Sequence, residues 1–201
     1  YLRVVEILSE ATRTAPSADA SLYLGLAYRN LVQYDRALEL FEAAARMYPD
    51  DVRFLNETAE LHVRNRDLDL AKDSLRQALA IAPEDEIATD LLASIHLSEG
   101  NVAAALDTWN EVGQPRIDEV LQNFSPAYLN WSVPDALAFG PGEVLAYDDW
   151  RTTESRLYAS KLYANLGLDV EPSPSPDLYN AIVRTTPRGN TPSDILLDLL
   201  R

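Results

Sequence analysis

Residues 18–51 read ADASLYLGLAYRNLVQYDRALELFEAAARMYPDD, and the same pattern recurs twice further along the chain. Prolines mark its spacing, because Pro16, Pro49, Pro83 and Pro115 lie 33, 34 and 32 residues apart. Self-similarity with a period of this length is typical of proteins built from stacked supersecondary units. The first half of the chain is therefore predicted to be a repeat structure with a unit of about 34 residues.

Each unit has the apolar spacing of two amphipathic helices. In the first unit, apolar residues recur every three or four positions over residues 17–32 and over residues 34–47, with a polar break between the two runs. One helix pair can bury only one face by itself, so neighbouring units are expected to stack into a continuous core. The shared positions are occupied by Leu24, Gly25, Tyr28, Ala37, Phe41 and Ala44 in the first unit, by Thr58, Ala59, His62, Ala71, Leu75 and Ala78 in the second, and by Leu92, Ala93, His96, Ala105, Trp109 and Val112 in the third.

This pattern resembles the tetratricopeptide repeat, a helix-turn-helix unit in which small residues at positions 8, 20 and 27 let two helices approach closely. The resemblance covers roughly residues 2–114, where three units follow a segment, Val4 to Arg13, that matches the second helix of an earlier unit. It implies an all-α fold over residues 1–115, namely a helical-hairpin solenoid of three repeats plus a preceding half-repeat. A chain that opens inside a repeat, at Tyr1, is expected to be part of a longer polypeptide with its start missing.

Residues 116–201 have a different character, with eight of the twelve prolines and nine of the seventeen aromatic residues. We predict a partly irregular C-terminal extension with a helix over about 148–166 and a short helix over 116–124. An extended proline-rich strap over about 170–177 and a terminal apolar helix over about 192–200 complete the extension. An alternative interpretation makes residues 143–147, the helix from Asp148 and residues 168–171 a strand, a helix and a strand.

The composition excludes several classes of function. The net charge is −15 and no basic tract is present, so nucleic acid and anionic membrane surfaces are poor partners. No run of about 18 apolar residues predicts a membrane-spanning helix, so we expect a soluble protein without direct membrane insertion. The chain has no cysteine, which rules out disulfides and thiolate chemistry. The compartment is unknown, and the absent cysteines and missing start favour an extracytoplasmic location.

Catalytic patterns are missing from the sequence. His62 and His96 are the only histidines, and both fall at position 11 of their units, where packing between helices is the expected role. No acid-base pair, nucleophile-base pair or metal cluster has the required spacing. The prediction is a protein that is not an enzyme and needs no cofactor or metal. The alternative is a regulatory or accessory region of a larger enzyme whose catalytic part lies outside this chain.

The resemblance also implies a partner-binding surface, because in that family the first helix of each unit lines a concave groove. The groove residues predicted in this way are Leu22, Leu26, Arg29, Asn30, Arg53, Asn56, Val63 and Arg64. In the extension, the candidate contacts are Trp131, Trp150, Leu196, Leu199 and Leu200. The predicted function is a protein-protein interaction scaffold or a subunit of a larger complex.

Two interpretations of the groove arginines stay open. In the first, Arg29, Arg53 and Arg64 converge between the first two units and hold an acidic or C-terminal carboxylate segment of a partner protein. In the second, they pair with neighbouring carboxylates of the same chain and serve solubility. Those carboxylates are Asp19, Glu57, Glu60 and Asp90.

Overall fold

The computed structural model describes residues 2–122 and 132–187, and the chain divides into two compact units, Tyr1–Ile95 and His96–Arg201. The helices that begin in the first unit are α1 (Leu2–Thr14), α2 (Ala18–Asn30), α3 (Tyr34–Met47), α4 (Arg53–Asn65), α5 (Leu68–Ile81) and α6 (Glu86–Ser98). The division falls inside α6, ahead of the boundary after residue 115 that the sequence predicts. None of the helices described combines the length and the apolar character that crossing a membrane requires.

The predicted helix pairs are observed. The first unit of the sequence pattern folds into α2 and α3, and the second into α4 and α5. At position 24 of these two units, Phe41 and Leu75 have no exposed surface. The small residues at positions 20 and 27 are also buried, being Ala37, Ala44, Ala71 and Ala78. This burial is what the alternation of small and large residues predicts for closely packed helices.

The first helix of each pair ends in the same way. Val32, Arg66 and Gly100 have φ angles of 63°, 67° and 77°, and they lie 34 residues apart. In each case the amide of the following residue donates a hydrogen bond of 2.9 Å to the carbonyl at position 11. This hydrogen bond is typical of a helix that is followed by a residue in the left-handed conformation. Glycine adopts that conformation without strain.

Val32 is the strained member of this set. A β-branched residue is sterically strained at positive φ. The Val32 side chain is 67% exposed, so packing does little to offset that strain. We expect Val32→Gly to raise the free energy of unfolding by about 1 kcal/mol, measured by urea denaturation with far-ultraviolet circular dichroism. The reverse change Gly100→Val is the matched control and should destabilise by a similar amount. A stability loss in Val32→Gly would contradict this assignment of strain.

The second unit combines helices with a small sheet. Its further elements are α7 (Val102–Asn110), β1 (Ile117–Gln122), α8 (Ser132–Ala136), α9 (Tyr147–Ala159), β2 (Tyr163–Pro172) and β3 (Tyr179–Pro187). The strand order is β1-β3-β2, with β1 parallel and β2 antiparallel to the central strand β3. Trp109 packs against Tyr179 with ring centroids 5.7 Å apart, so α7 contacts the central strand through its largest side chain.

The structure corrects the predictions for the extension. The short helix predicted over 116–124 is wrong, because residues 117–122 form β1 and pair with β3. The helix predicted over 148–166 ends at Ala159, and residues 163–172 form β2 instead. The physical reason is that Tyr163, Leu168 and Val170 are buried through pairing with β3, which local periodicity does not reveal.

The proline-rich segment is a hairpin connection rather than a strap. Residues up to Pro172 belong to β2, and the amide of Ser173 donates a 2.9 Å hydrogen bond to the carbonyl of Leu178 to close the turn into β3. The alternative strand-helix-strand interpretation was right that residues 168–171 are extended, whereas its first strand is represented only by a bridge between Val144 and Arg116. The predicted terminal helix over 192–200 lies outside the described residues.

Candidate functional site

The predicted groove residues lie on α2 and α4, but two of them are buried. Leu22 is 8% exposed and Asn56 is 5% exposed, so little of either side chain is open to a partner, and their place in the groove stays a prediction. Both belong to the packing between neighbouring helices, which the position in the repeat did not reveal. Leu26, Arg29 and Val63 are partly exposed, whereas Asn30, Arg53 and Arg64 are exposed.

Arg29 is bound by two carboxylates of α4. Its Nη1 donates to Glu57 at 2.5 Å and to Glu60 at 2.6 Å. Burial raises the pKa of Glu57, and the nearby guanidinium of Arg29 opposes that shift. The charge of Arg29 is therefore neutralised inside the chain, which leaves little positive potential for an acidic partner.

Arg53 and Arg64 have their own partners at opposite ends of α4. Arg53 donates to Asp51 at 2.6 Å and to Asp19 at 2.9 Å, and its hydrogen bond lowers the pKa of Asp51. The guanidinium of Arg64 lies 4.1 Å from the ring centroid of Tyr34, a cation–π contact. The two arginines are eleven positions apart on α4, about 16 Å along the helix axis. The three arginines therefore do not form one cluster. Arg29 and Arg53 pair with acids of the same chain, as the second interpretation predicts.

Asn56 has a structural contact in place of the predicted partner contact. Its Nδ2 donates to Oδ1 of Asp85 at 3.0 Å, and the same oxygen accepts the amide of Ala88 at 2.7 Å. Asp85 thus caps the first turn of α6 and ties it to α4. Position 5 of the second unit therefore connects neighbouring repeats.

An apolar groove of about 450 Å³ lies between α1 and α2. Leu26 and Asn30, two of the predicted groove residues, line it together with residues that the prediction missed. The missed residues are Val4, Ile7, Leu8, Tyr23 and Ala27. Ile7 is 60% exposed and Tyr23 is 59% exposed, which is unusual for large apolar side chains that face each other across a groove. The half-repeat register of α1 was the signal in the sequence that could have identified this surface.

The remaining predicted residues divide into buried and undescribed ones. Trp150, on α9, is 4% exposed, and its role as a partner contact stays a prediction. His62 is buried as expected, and His96 lies 3.7 Å from Glu99. Within residues 2–122 and 132–187, no three His, Cys, Asp or Glu side chains are grouped as a metal site would require. The other candidates fall outside the described residues, namely Trp131, Leu196, Leu199 and Leu200.

Solved structures with helical repeats are similar to this chain. MamA from Desulfovibrio magneticus RS-1, residues 41 to the end, is 20% identical over 56% of this chain and 64% of that one, with a TM-score of 0.49. A second MamA crystal structure is 16% identical over 54% and 64%, with a TM-score of 0.50. A tetratricopeptide repeat protein from Parabacteroides merdae ATCC 43184 is 19% identical over 54% and 44%, with a TM-score of 0.49.

The similarity to the MamA crystal structure with a TM-score of 0.50 supports the fold of the repeats and nothing finer. The chain spans less than two thirds of the length of these solved proteins. No curated protein matches the chain. A family model described as tetratricopeptide repeat matches residues 5–52, 26–86 and 56–118, which together cover more than half of the 201 residues. The paired helices, the 34-residue spacing of their left-handed termini and this match together establish that the chain belongs to the tetratricopeptide repeat family.

Proposed function

We propose that this chain is a non-catalytic protein-binding scaffold, and that a partner protein places an amphipathic helix in the apolar groove between α1 and α2. The observation that carries the proposal is the exposure of α1. Val4 is 44% exposed and Leu8 is partly exposed, whereas Ala37 and Phe41, at the equivalent positions of the complete first unit, have no exposed surface. A partner that covers this face would bury apolar area that the described helices leave open to water.

The internal repeat supports a helix as the occupant. In the register of the repeat, Val4 and Leu8 of α1 correspond to Ala37 and Phe41 of α3. The face of α3 that bears Phe41 is covered by α2, and an ideal Cβ on Gly25 would lie 2.2 Å from the Phe41 ring. The corresponding face of α1 forms the groove. A helix packed on α1 as α2 packs on α3 would extend the helix-on-helix interface that already exists.

The lining of the groove favours an apolar partner over an acidic one. Its walls are aliphatic and aromatic, and Asn30 supplies the polar side chain. An acidic segment would instead need Arg29 or Arg53, each of which is held by two carboxylates of this chain. Displacing those carboxylates would offset most of the gain from a new ion pair. We therefore propose a partner helix with a small residue facing Leu8 and large apolar residues on either side of it.

A peptide with the sequence of residues 17–31 is a suitable probe, because that segment fills the equivalent place against α3. We expect the labelled peptide to bind the chain saturably in a fluorescence anisotropy titration. Ile7→Glu should weaken binding about tenfold or more, since it replaces an apolar contact with a charge that would have to be buried. Circular dichroism of the variant establishes that its helices are retained.

The matched control is Ile87→Glu on α6, since Ile87 is 59% exposed and lines no part of the groove. This variant should bind the peptide as the native chain does. A peptide in which the residue equivalent to Gly25 is leucine should bind worse, because it could not approach α1 closely. The proposal fails if the native-sequence peptide does not bind or if Ile7→Glu binds normally. Dimerisation of the native chain that Ile7→Glu abolishes, measured by analytical ultracentrifugation, would assign the groove to a second copy and contradict a separate partner.

A further inference from the structure

A cavity of about 440 Å³ lies in the second unit. Three parts of the chain form it: residues 97–103 at the turn between α6 and α7, one face of α9, and residues 166–169 of β2. From α9, the side chains of Tyr147, Trp150 and Glu154 line the cavity. Their spacing of three and four residues places them on one side of the helix. The volume suits a small ligand or one long side chain.

The charged groups that line this cavity are acidic. Asp169 forms an ion pair with Arg184, so its charge is compensated. Glu154 is half-buried, and among the described residues it has no hydrogen-bond or ion-pair partner. The C-terminal end of α6 and the N-terminal end of α7 meet at the same turn, so their dipoles oppose each other there. Asn101 also caps α7 by accepting the amide of Ala104 at 3.1 Å. Because Glu154 is the lining carboxylate without a partner among the described residues, we expect the ligand to be positively charged.

Aromatic side chains line the same cavity as this carboxylate. Tyr147 and Trp150 line the same cavity, and the Tyr147 ring already has a guanidinium near it, that of Arg151 at 5.9 Å from the centroid. Arg151 itself is engaged with Asp148 at 3.9 Å and does not line the cavity. A planar guanidinium can bond a carboxylate with two parallel N–H groups while its face rests on an aromatic ring. An alkylammonium group lacks both the planar fork and the weakly hydrated face.

We propose that this cavity binds a guanidinium group, with Glu154 as its carboxylate partner and Tyr147 and Trp150 as its aromatic walls. The group belongs to an arginine side chain or to a small arginine-like molecule. This site is separate from the partner groove, since it uses residues of the second unit alone. A partner helix on α1 is not needed for it, and either proposal can fail without the other.

The test is a nuclear magnetic resonance titration of the full chain that follows the backbone amides of Gly100 and Gly167, both in the cavity lining. The probes are N-acetyl-arginine amide and its neutral isostere N-acetyl-citrulline amide. We expect saturable shifts at both glycines with the arginine probe and none with citrulline. Glu154→Gln should weaken arginine binding about tenfold or more, because a charge-assisted hydrogen bond is lost while the shape is kept. Glu84→Gln, at an exposed position of the first unit, should bind as the native chain does.

A tripeptide, acetyl-Gly-Arg-Gly amide, separates the two sources of the guanidinium. Tighter binding of the tripeptide than of the single residue would assign the site to a peptide, and equal binding would assign it to a free small molecule. The proposal is overturned if neither arginine probe shifts the two glycines, if citrulline binds as well as arginine, or if Glu154→Gln binds arginine normally. Well-dispersed amide signals in the spectrum of Glu154→Gln would show that the variant is folded. A loss of arginine binding would then be due to the missing carboxylate charge.

Discussion

Asp85→Ala is expected to lower the free energy of unfolding of the first unit by about 2–4 kcal/mol. Part of this loss, about 1 kcal/mol, comes from the α6 cap, because Oδ1 of Asp85 accepts the amide of Ala88. The rest comes from Asn56, whose buried Nδ2 would lose its acceptor and remain unpaired at a cost of about 1–3 kcal/mol. The measurement is urea denaturation followed by far-ultraviolet circular dichroism. All three tryptophans lie at residues 109–150, so their fluorescence reports on the second unit separately.

Two variants distinguish the cap from the buried link. Asp85→Asn keeps an oxygen that can accept both hydrogen bonds and should cost less than about 1 kcal/mol. Adding Asn56→Leu to Asp85→Ala should restore part of the lost stability, because no polar group is then left unpaired and the first unit already has Leu22 at this position. Equal stability of Asp85→Ala and Asp85→Asn would show that the link between α4 and α6 contributes nothing.

Gly25→Val is the second change with a large expected effect, a destabilisation of about 3 kcal/mol. A Cβ at this position would lie 2.2, 2.5 and 2.8 Å from three atoms of the Phe41 ring. That ring cannot move aside easily, because Phe41 has no exposed surface and Phe54 lies with its ring centroid 6.4 Å away. The melting temperature and the urea midpoint of the helical signal are the quantities to measure.

The second repeat supplies the compensating control for Gly25. There the equivalent pair is Ala59 with Leu75, both fully buried, so an alanine is accommodated when the facing side chain is leucine. The double variant Gly25→Ala with Phe41→Leu should therefore be more stable than the sum of its single changes predicts. Additive changes in stability would mean that residues 25 and 41 do not interact. They would contradict a clash with the Phe41 ring as the cause of the destabilisation.

The helical repeats were largely predictable from the sequence because their determinants are local. The spacing of apolar residues marks each helix, and the polar break after each first helix coincides with its observed left-handed terminus. The predicted break between the runs 17–32 and 34–47 lies directly after Val32, the residue with positive φ. Burial of Phe41 and Leu75 followed from their place in the repeat. The same register did not reveal the burial of Leu22 and Asn56, because a position in a repeat does not say how far the neighbouring helix covers it.

The sheet of the second unit could not be predicted in the same way. β1 pairs with β3 across more than fifty residues of chain, and the segment that became β2 has one tyrosine and two leucines at spacings that also suit a helix. The proline-rich turn between β2 and β3 looks like an isolated extended segment until its flanking strands are known to pair. Non-local hydrogen bonds decide such segments, and local propensity is then overridden.

By itself, the sequence determined that this chain has stacked helix pairs of the tetratricopeptide type, because a 34-residue pattern of small and large residues specifies how consecutive helices pack. Only the tertiary structure decided which charges and surfaces are free. Ion pairs such as Arg29 with Glu57 and Glu60 neutralise the predicted arginine site, while the face of α1 and the carboxylate of Glu154 are left open. The physical reason is that exposure and pairing depend on which side chains the fold brings together, and residues far apart in the sequence make those contacts.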